Sequence, residues 1–251
     1  MLETPSLETS QVEEFRRDGC LWVKGAFDAA SVARLGRWAD ELLARPEEPG
    51  RHWVYHERSV RDARDLVQRI ENISLFHAGF AELERVLGQS AAQLLGEPAE
   101  IFKEKINYKL PGGDGFKPHQ DSQAGWERYA SYFLTVAVAI DACTPENGCL
   151  EIARGHQRPG LGRTWQPLSE QELAGIVFEP IPAAPGDLVF LDSYAPHRSF
   201  PNRSERPRRV YFATYNRRSE GRHLEQYYAD KRASFPPDVE RDPSRTYVFR
   251  V

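Results

Sequence analysis

The sequence predicts a mainly β fold with flanking helices, an α+β protein whose strands form a sandwich or barrel. In the second half of the chain, short runs rich in β-branched and aromatic residues alternate with turn segments such as PGGDG, TPENG and PNRSERP. Many short strands separated by turn residues are typical of sandwiches and barrels. No GxGxxG or P-loop motif follows any of these runs, so the sequence does not indicate a nucleotide-binding fold.

The first half of the chain is predicted to be largely helical. Apolar residues recur at helical spacing in 28–48 and again in about 78–95. Between the glycines that bound it, GCLWVKGAF at 19–27 is predicted to form a short strand. Residues 52–74 are mixed in pattern and rich in charge.

The second half supplies the predicted strands. They are IFKEKINYKL, YFLTVAVAIDA, GCLEIA, GDLVFLDSYA and RRVYFATYN, which begin at residues 101, 132, 148, 186 and 208. The terminal TYVFRV, 246–251, alternates like a further strand. We expect a single domain over 1–251, in which an N-terminal helical part of about 1–97 packs on a β core of about 98–251.

Composition excludes several classes of protein. The 33 basic and 37 acidic residues give a net charge of −4, which argues against a nucleic-acid binder. No apolar run is long enough for a membrane span, and the acidic, polar start of the chain lacks the pattern of a signal peptide. Three scattered cysteines form neither a disulfide framework nor a CxxC zinc motif, so the expected location is a reducing cytoplasm.

One histidine and one carboxylate stand two residues apart, in FKPHQDSQ. On an extended strand, His119 and Asp121 would point to the same face and converge on one ion. His197 follows the apolar run GDLVFLD and would bring a second imidazole from another strand. Two histidines and one carboxylate are the usual protein ligands of non-haem Fe(II), with open positions for a cosubstrate and O₂.

An arginine follows the second histidine by eleven residues. Arg208 begins a run that would return beside the His197 strand, where a buried guanidinium suits bidentate capture of a carboxylate such as that of 2-oxoglutarate. Arg209, on the opposite side of that strand, is the alternative carboxylate ligand. The His119–Asp121 pair, His197 and Arg208 are each unremarkable alone. Their order along the chain favours an iron site with a cosubstrate-binding arginine over a chance occurrence.

At these residues the chain resembles the phytanoyl-CoA dioxygenase family of Fe(II)/2-oxoglutarate oxygenases. The segments that carry the resemblance are FRRDGCLWVKGAF, KPHQD, TPENGCLEIARGHQ and GDLVFLDSYAPHRSFPNRS followed by Arg208. The resemblance covers most of the chain. It implies a double-stranded β-helix, the jelly-roll or cupin type, and conversion of 2-oxoglutarate to succinate and CO₂ as a substrate C–H bond is oxidised.

The same resemblance implies roles for particular residues. It gives His119, Asp121 and His197 as the iron ligands. Four residues are implied for 2-oxoglutarate: Arg208 and Ser199 at its C5 carboxylate, Lys109 as a further contact and Thr135 as a weaker candidate. One departure is Ala153–His156, where relatives usually show Pro-Gly-Ser-His. The carboxylate of Asp121 is kept, whereas halogenating relatives replace it, so the resemblance implies hydroxylation or another oxidation.

Several residues near the predicted metal site are candidate substrate contacts. They are Lys105 and Asn107, on the same predicted strand face as Lys109, together with Gln123, Trp126, Trp53 and Asn216. A pocket lined by them would be polar and charged and would suit a small zwitterionic metabolite, such as an aminophosphonate or related amine. A cationic amine would find aromatic faces at Trp126 or Trp53.

Other interpretations stay open at this point. The lysine-rich strand face is also what a solvated surface would show, and HWVYHE, 52–57, also suits a surface loop. A natural-product tailoring oxygenase of the same family, performing hydroxylation, desaturation or ring closure, is the nearest alternative activity. A non-catalytic cupin-like binding module is the alternative from another class. The sequence favours neither a monomer nor a dimer.

Overall fold

The computed structural model describes residues 2–247 and shows two antiparallel sheets with helices on the outside. The helices are α1 (Thr9–Asp18), α2 (Ala29–Leu43), α3 (Ala78–Leu95) and α4 (Leu224–Ser234). The strands are β1 (Cys20–Val23), β2 (Trp53–Arg58), β3 (Asp65–Glu71), β4 (Ala99–Lys109), β5 (Phe116–His119), β6 (Leu134–Ala139), β7 (Leu150–Ile152), β8 (Glu179–Ile181), β9 (Leu188–Asp192), β10 (His197–Ser199) and β11 (Arg208–Arg217). Most of the predicted terminal strand, residues 248–251, lies outside the described residues.

The strands form a seven-stranded sheet and a four-stranded sheet. The larger has the order β1-β9-β6-β11-β4-β3-β2, and the smaller has the order β5-β10-β7-β8. Apolar residues of the two sheets meet in one buried cluster, for example Val189 and Val210 of the larger sheet with Ile152 and Ile181 of the smaller. Two facing antiparallel sheets of this kind are the predicted double-stranded β-helix, or jelly roll.

The helices cover the outer face of the larger sheet. Leu35 of α2 and Leu83 of α3 are fully buried and belong to the same apolar cluster as Ile106, Val136 and Tyr211 of the sheet. Both helices were predicted from their apolar spacing, and the structure confirms them. Among residues 2–247, no helix has the length and apolar character needed to cross a bilayer.

The N-terminal part is less helical than expected. It contributes the predicted strand β1 to one edge of the larger sheet, and the unpredicted strands β2 and β3 to the other edge. The charged stretch 52–74 contains β2 and β3. Strand β3 was not predicted because it buries an ion pair where an apolar residue would be expected. Arg69 Nε and Glu71 lie 2.7 Å apart, and each side chain is no more than 4% exposed. A strand with buried paired charges lacks the alternation of apolar and polar residues from which strands are predicted.

Strand β4 has two chemically different faces. Ile106 and Tyr108 point into the helix-covered core, whereas the alternate residues point between the sheets. Glu104, only 1% exposed, is the exception on the core side, and its Oε1 accepts hydrogen bonds from the N–H groups of Ile73 at 2.5 Å and Ser74 at 3.1 Å. Burial raises the pKa of Glu104 to about 8, and the nearby Glu84 adds to the rise.

We expect Glu104 to make the free energy of unfolding fall as pH rises between about 5 and 8. The unfolded chain loses this proton near the ordinary value of 4.5 and the folded chain only near 8, so the folded state binds more protons in that window. Glu104→Gln keeps the acceptor oxygen and removes the titration. Urea unfolding at pH 5, 7 and 9 should show a shallower pH slope in the variant, and equal slopes would contradict the assignment.

Candidate metal centre

Three side chains converge between the sheets at the end of the smaller one. His119 ends β5, His197 begins β10, and the two residues are paired across these strands. The ligand atoms offered by His119, Asp121 and His197 all lie within 4.8 Å of one another, and His197 Nε2 is 4.0 Å from Asp121 Oδ1. Within the described part of the chain, this is the group of His, Cys, Asp and Glu side chains suited to hold a metal ion.

The backbone brings Asp121 into place in a way that the sequence did not predict. Strand β5 ends at His119, and Asp121 is the first residue of a short 3-10 helix, Asp121–Ala124. The expected arrangement, with both ligands on one extended strand, is therefore wrong. The turn into this helix nonetheless brings the carboxylate to the same side as the imidazole.

Both imidazoles are oriented by backbone carbonyls. His119 Nδ1 lies 2.7 Å from the carbonyl oxygen of Lys117, and His197 Nδ1 lies 3.0 Å from that of Ala195. A carbonyl only accepts, so each Nδ1 carries the proton and each Nε2 keeps its lone pair. This is the tautomer that a metal ligand needs, and the backbone contact fixes the ring orientation.

The electrostatics of the three groups also suit metal binding. Burial, reinforced by the neighbouring His197, lowers the pKa of His119 to about 3, so its imidazole is neutral at physiological pH. Burial alone would raise the pKa of Asp121, but the attraction of His197 and Lys103 outweighs it and lowers that pKa to about 2. The carboxylate of Asp121 and the neutral imidazole of His119 are therefore available as donors without a proton to displace.

A threonine pair supports the carboxylate. Thr135 Oγ1 donates to Asp121 Oδ2 at 3.3 Å and lies 2.9 Å from Thr214 Oγ1. The sequence suggested Thr135 as a contact of 2-oxoglutarate. In the structure its hydroxyl contacts the carboxylate of Asp121, and the side chain also lines the inner cavity.

We expect Thr135→Val to lower iron affinity by roughly tenfold, because the variant keeps the shape of the side chain and removes the hydrogen bond that orients Asp121. Iron titration of the purified protein measures this. Thr214→Val is the matched control, since Thr214 reaches Asp121 only through Thr135, and its effect should be smaller. Equal iron affinity in wild type and Thr135→Val would show that the hydroxyl does not orient the ligand.

Two buried basic side chains lie beyond the metal triad. Arg208 begins β11, Lys109 ends β4, and the two residues are paired across these strands. Both are buried, and Arg208 Nε has no hydrogen-bond partner in the described chain. Lys109 Nζ donates to Ser199 Oγ at 2.7 Å and to the carbonyl of Phe200 at 2.6 Å. Burial, followed by the repulsion of Arg208, lowers the pKa of Lys109 to about 6.

A glycine makes this close approach possible. Gly148 has a φ of +71°, and a Cβ there would lie 2.0 Å from the carbonyl oxygen of Phe200 and 3.2 Å from Lys109 Nζ. Any larger residue would displace the segment that carries Ser199 and Phe200. No carboxylate pairs with Arg208 or Lys109 within residues 2–247, so the buried guanidinium of Arg208 has the uncompensated positive charge that an incoming carboxylate needs.

The alternative arginine has a structural role. Arg209 Nε lies 2.8 Å from Asp141 Oδ2, and its Nη1 lies 2.5 Å from Asp40 Oδ1. Both partners are on the outer side of the larger sheet, away from the metal triad. Arg209 is thus already neutralised by two carboxylates, and Arg208 is the arginine that faces the site.

Two neighbouring cavities share His119 and Asp121 of the triad as lining residues. The inner cavity, of about 50 Å³, reaches from the triad to Ser199 and Arg208. The outer cavity, of about 520 Å³, opens from the triad towards α4 and the segment 245–247. Lys105 lines both cavities, Asn107 lines the inner one and Trp126 the outer one. Lys103, which the sequence analysis did not single out, also lines both, although it follows the same alternation as Lys105 and Asn107.

Three predicted substrate contacts are not brought to either cavity. Trp53 is 1% exposed and packs edge-on against Tyr228, with ring centroids 5.0 Å apart. Asn216 is fully buried and donates to the carbonyls of Arg217 and Gly221. Both side chains are held by their own neighbours and lie outside the lining of the cavities.

Gln123 is the third predicted substrate contact that lines neither cavity, and its hydrogen bonds explain its position. It is 4% exposed, and its Nε2 donates to the carbonyls of Arg163 at 2.7 Å and Gln166 at 2.6 Å. Between these two residues lies Trp165, whose N–H donates to the Gln123 carbonyl at 2.7 Å and whose side chain lines the outer cavity. Gln123 therefore fixes the loop that places Trp165 at the cavity, rather than lining the cavity itself.

The residues present fit iron and 2-oxoglutarate. Two imidazole nitrogens and one carboxylate suit Fe(II), and all three residues line the inner cavity. Arg208 lines the same inner cavity, and its Nε has no hydrogen-bond partner among residues 2–247. Fe(II)/2-oxoglutarate-dependent oxygenases require two imidazoles and one carboxylate in a jelly roll, next to a buried arginine. The protein is of this class.

Known proteins agree with this assignment. The chain belongs to the phytanoyl-CoA dioxygenase (PhyH) family, whose pattern matches residues 15–210. A methylphosphonate hydroxylase of Gimesia maris is 39% identical over 92% of this chain and 88% of its own length. A 2-aminoethylphosphonate dioxygenase of an uncultured bacterium is 37% identical over 94% of this chain and 92% of its own.

A solved structure agrees as well. EctD from S. alaskensis, crystallised with 2-oxoglutarate and 5-hydroxyectoine, matches with a TM-score of 0.73 at 27% identity, over 85% of this chain and 77% of that one. The protein is therefore an Fe(II)/2-oxoglutarate-dependent dioxygenase that uses O₂ and acts on a small molecule. The complete triad and the relatives named as dioxygenases argue against the non-catalytic binding module.

Proposed function

We propose that the enzyme hydroxylates a C–H bond of a small phosphonate, with an aminophosphonate such as 2-aminoethylphosphonate as the first choice. The observation that carries this proposal is the charge of the outer cavity, which is lined by six cationic side chains and three carboxylates. The cations are Arg69, Lys103, Lys105, Arg128, Lys231 and Arg245, and the carboxylates are Glu71, Asp121 and Asp230.

The carboxylates of this cavity are already occupied. Glu71 pairs with Lys231 and with Arg69, and Asp230 pairs with Arg128. Asp121 belongs to the metal triad. The cavity therefore has an excess of positive charge, which favours an anionic substrate and disfavours a simple amine or an acyl chain.

Size and wall chemistry favour a substrate larger than methylphosphonate. A volume of about 520 Å³ leaves room beyond a single phosphonate and methyl group. Aromatic side chains form much of the outer wall, namely Trp126, Tyr129, Trp165, Tyr227, Phe235 and Tyr247. Such faces can accept an ammonium group by cation–π contact. The two phosphonate-acting relatives point to the same substrate class.

Each site residue has a proposed role. His119, Asp121 and His197 hold the iron, with Thr135 orienting the carboxylate. Arg208 and Lys109 bind the C5 carboxylate of 2-oxoglutarate, and Ser199 shares the Lys109 contact. When bound, iron and 2-oxoglutarate supply the activation of O₂ and the decarboxylation that yields succinate and CO₂. The walls of both cavities orient the substrate and exclude water from the reaction.

We also propose that residues 1–251 form one domain that works in the cytoplasm. The strands before residue 97 extend the same sheet that carries Lys109 and Arg208, which supports a single folding unit. The buried free cysteines and the need to keep iron as Fe(II) suit a reducing compartment. The near balance of acidic and basic residues gives no reason to expect a nucleic-acid partner.

Succinate formation across a substrate panel tests this proposal. The iron-loaded enzyme is given 2-oxoglutarate, O₂ and one compound at a time: 2-aminoethylphosphonate, methylphosphonate, taurine, β-alanine or ectoine. We expect phosphonate-dependent succinate, with the aminophosphonate preferred. Turnover with ectoine or with none of the phosphonates would reject the proposed substrate class and favour a natural-product tailoring role.

A further inference from the structure

Strand β4 carries lysines at 103, 105 and 109 on the face that points between the sheets. Residues two apart on a strand share a face, so these lysines form a row with Asn107 between them. The row spans about 20 Å at the usual rise per residue. Lys109 stands at the Arg208 end of the row, and Lys103 and Lys105 stand beside the metal triad, where both line the inner and the outer cavity.

Lys103 and Lys105 lack a carboxylate partner in the described chain. Lys103 Nζ lies over the ring of Trp126, 4.1 Å from its centroid, and Lys105 Nζ lies 5.4 Å from the centroid of Phe212. Across residues 2–247, neither ammonium group forms an ion pair. Asp121 is the one carboxylate among these residues that lines both cavities with them, and it is committed to the metal triad.

An uncompensated pair of ammonium groups in a cavity is costly. Charged groups removed from water need a partner of opposite sign, or they tend to lose their charge. Burial lowers the pKa of both lysines, and the proximity of Lys105 adds to the effect on Lys103. A bound anion would supply the missing charge and hold both lysines protonated.

We propose that Lys103 and Lys105 form the phosphonate-binding subsite of the enzyme, separate from the Lys109–Arg208 subsite for 2-oxoglutarate. This inference rests on the proposed function and adds which side chains hold the phosphonate. A tetrahedral phosphonate is close to a dianion at neutral pH and has three acceptor oxygens, so it can bind both ammonium groups at once. A carboxylate or sulfonate carries a single charge and leaves one of the two lysines uncompensated.

The contact with Trp126 gives this subsite a fixed geometry. The indole ring lies under Lys103 and is itself 1% exposed, so the ammonium group is positioned before the substrate arrives. Preorganised cations bind an anion with a smaller entropic cost than flexible surface lysines do.

Titration calorimetry tests the inference with two variants of the phosphonate-binding subsite and one variant of the 2-oxoglutarate subsite. Wild type, K103Q, K105Q and K109Q are titrated with 2-aminoethylphosphonate and with 2-oxoglutarate. The titrations use metal-free protein and are repeated with Fe(II) under exclusion of O₂. We expect K103Q and K105Q each to weaken phosphonate binding by roughly 10- to 100-fold and to change 2-oxoglutarate binding little. K109Q should show the reverse pattern.

Charge and geometry are separated by further arms of the experiment. K103R and K105R keep the positive charge and should retain most phosphonate binding, which also guards against a variant that fails to fold. Taurine and β-alanine carry a sulfonate and a carboxylate on the same amine, and wild type should bind both at least tenfold more weakly than the phosphonate.

The failures of the two proposals are distinguishable. If wild type binds no phosphonate, the proposed substrate class is wrong and this subsite falls with it. If wild type binds phosphonate and K103Q and K105Q bind it equally well, only the subsite assignment is wrong. A loss of 2-oxoglutarate affinity in K103Q or K105Q, comparable with that in K109Q, would assign these lysines to the cosubstrate and overturn the inference.

Discussion

Asp121→Ala should abolish iron binding and lower turnover by at least about a thousandfold, because two imidazoles alone hold Fe(II) weakly and position it poorly. The fold should survive, since Asp121 lies at the start of a short 3-10 helix and, within residues 2–247, its one side-chain hydrogen bond is with Thr135. Iron content after gel filtration, together with the melting temperature, separates loss of metal from loss of structure.

His56→Ala is the matched control for the metal. His56 is a histidine with carboxylate neighbours, 3.2 Å from Asp238 and 3.1 Å from Glu47, and it lies outside the triad. This variant should keep its iron content. Full iron content in Asp121→Ala, or a metal-free His56→Ala, would show that the triad is assigned to the wrong residues.

Arg208→Met should raise the KM for 2-oxoglutarate by about 100-fold, with a smaller effect on the KM for the primary substrate. Methionine fills a similar volume but removes the guanidinium that the C5 carboxylate needs, and a lost buried charge pair of this kind costs on the order of 2–5 kcal/mol. Lys109 remains in the variant, so binding should weaken rather than vanish. Initial rates of succinate formation over a range of 2-oxoglutarate concentrations measure the effect.

Arg209→Met controls for the loss of an arginine from the same strand. Its guanidinium binds Asp141 and Asp40 on the outer side of the sheet, so the variant should lose stability and keep its KM for 2-oxoglutarate. If Arg209→Met raised that KM and Arg208→Met did not, the cosubstrate site would lie on the other face of β11.

The sequence was sufficient to predict that His119, Asp121 and His197 lie together, because the pattern that brings them together is local. A histidine and a carboxylate two residues apart, and a second histidine after an apolar run, can be recognised without knowing the sheet order. The assumed extended backbone was wrong at Asp121, but a short 3-10 turn and a strand both bring the two ligands together. The arginine was identified by its distance from His197, and its burial separates it from Arg209.

The substrate cavity was harder to predict because its walls come from distant segments. Gln123 is close to the triad in sequence, yet the 3-10 helix turns it towards the loop at 163–166. Trp53 packs against Tyr228, and Asn216 donates hydrogen bonds to nearby carbonyls. No pattern in the sequence reveals these contacts. Lys103 lay within the recognised alternation of β4 and was missed because the predicted face was followed only from residue 105 onwards.

Phosphorus NMR tests the central claim most directly. The enzyme is incubated with Fe(II), 2-oxoglutarate, O₂ and 2-aminoethylphosphonate, and the ³¹P spectrum is recorded alongside a succinate assay. The account predicts a new phosphonate resonance from a hydroxylated product, formed in equal amount to succinate and absent in Asp121→Ala. An unchanged phosphonate spectrum in the presence of active, iron-loaded enzyme would contradict it.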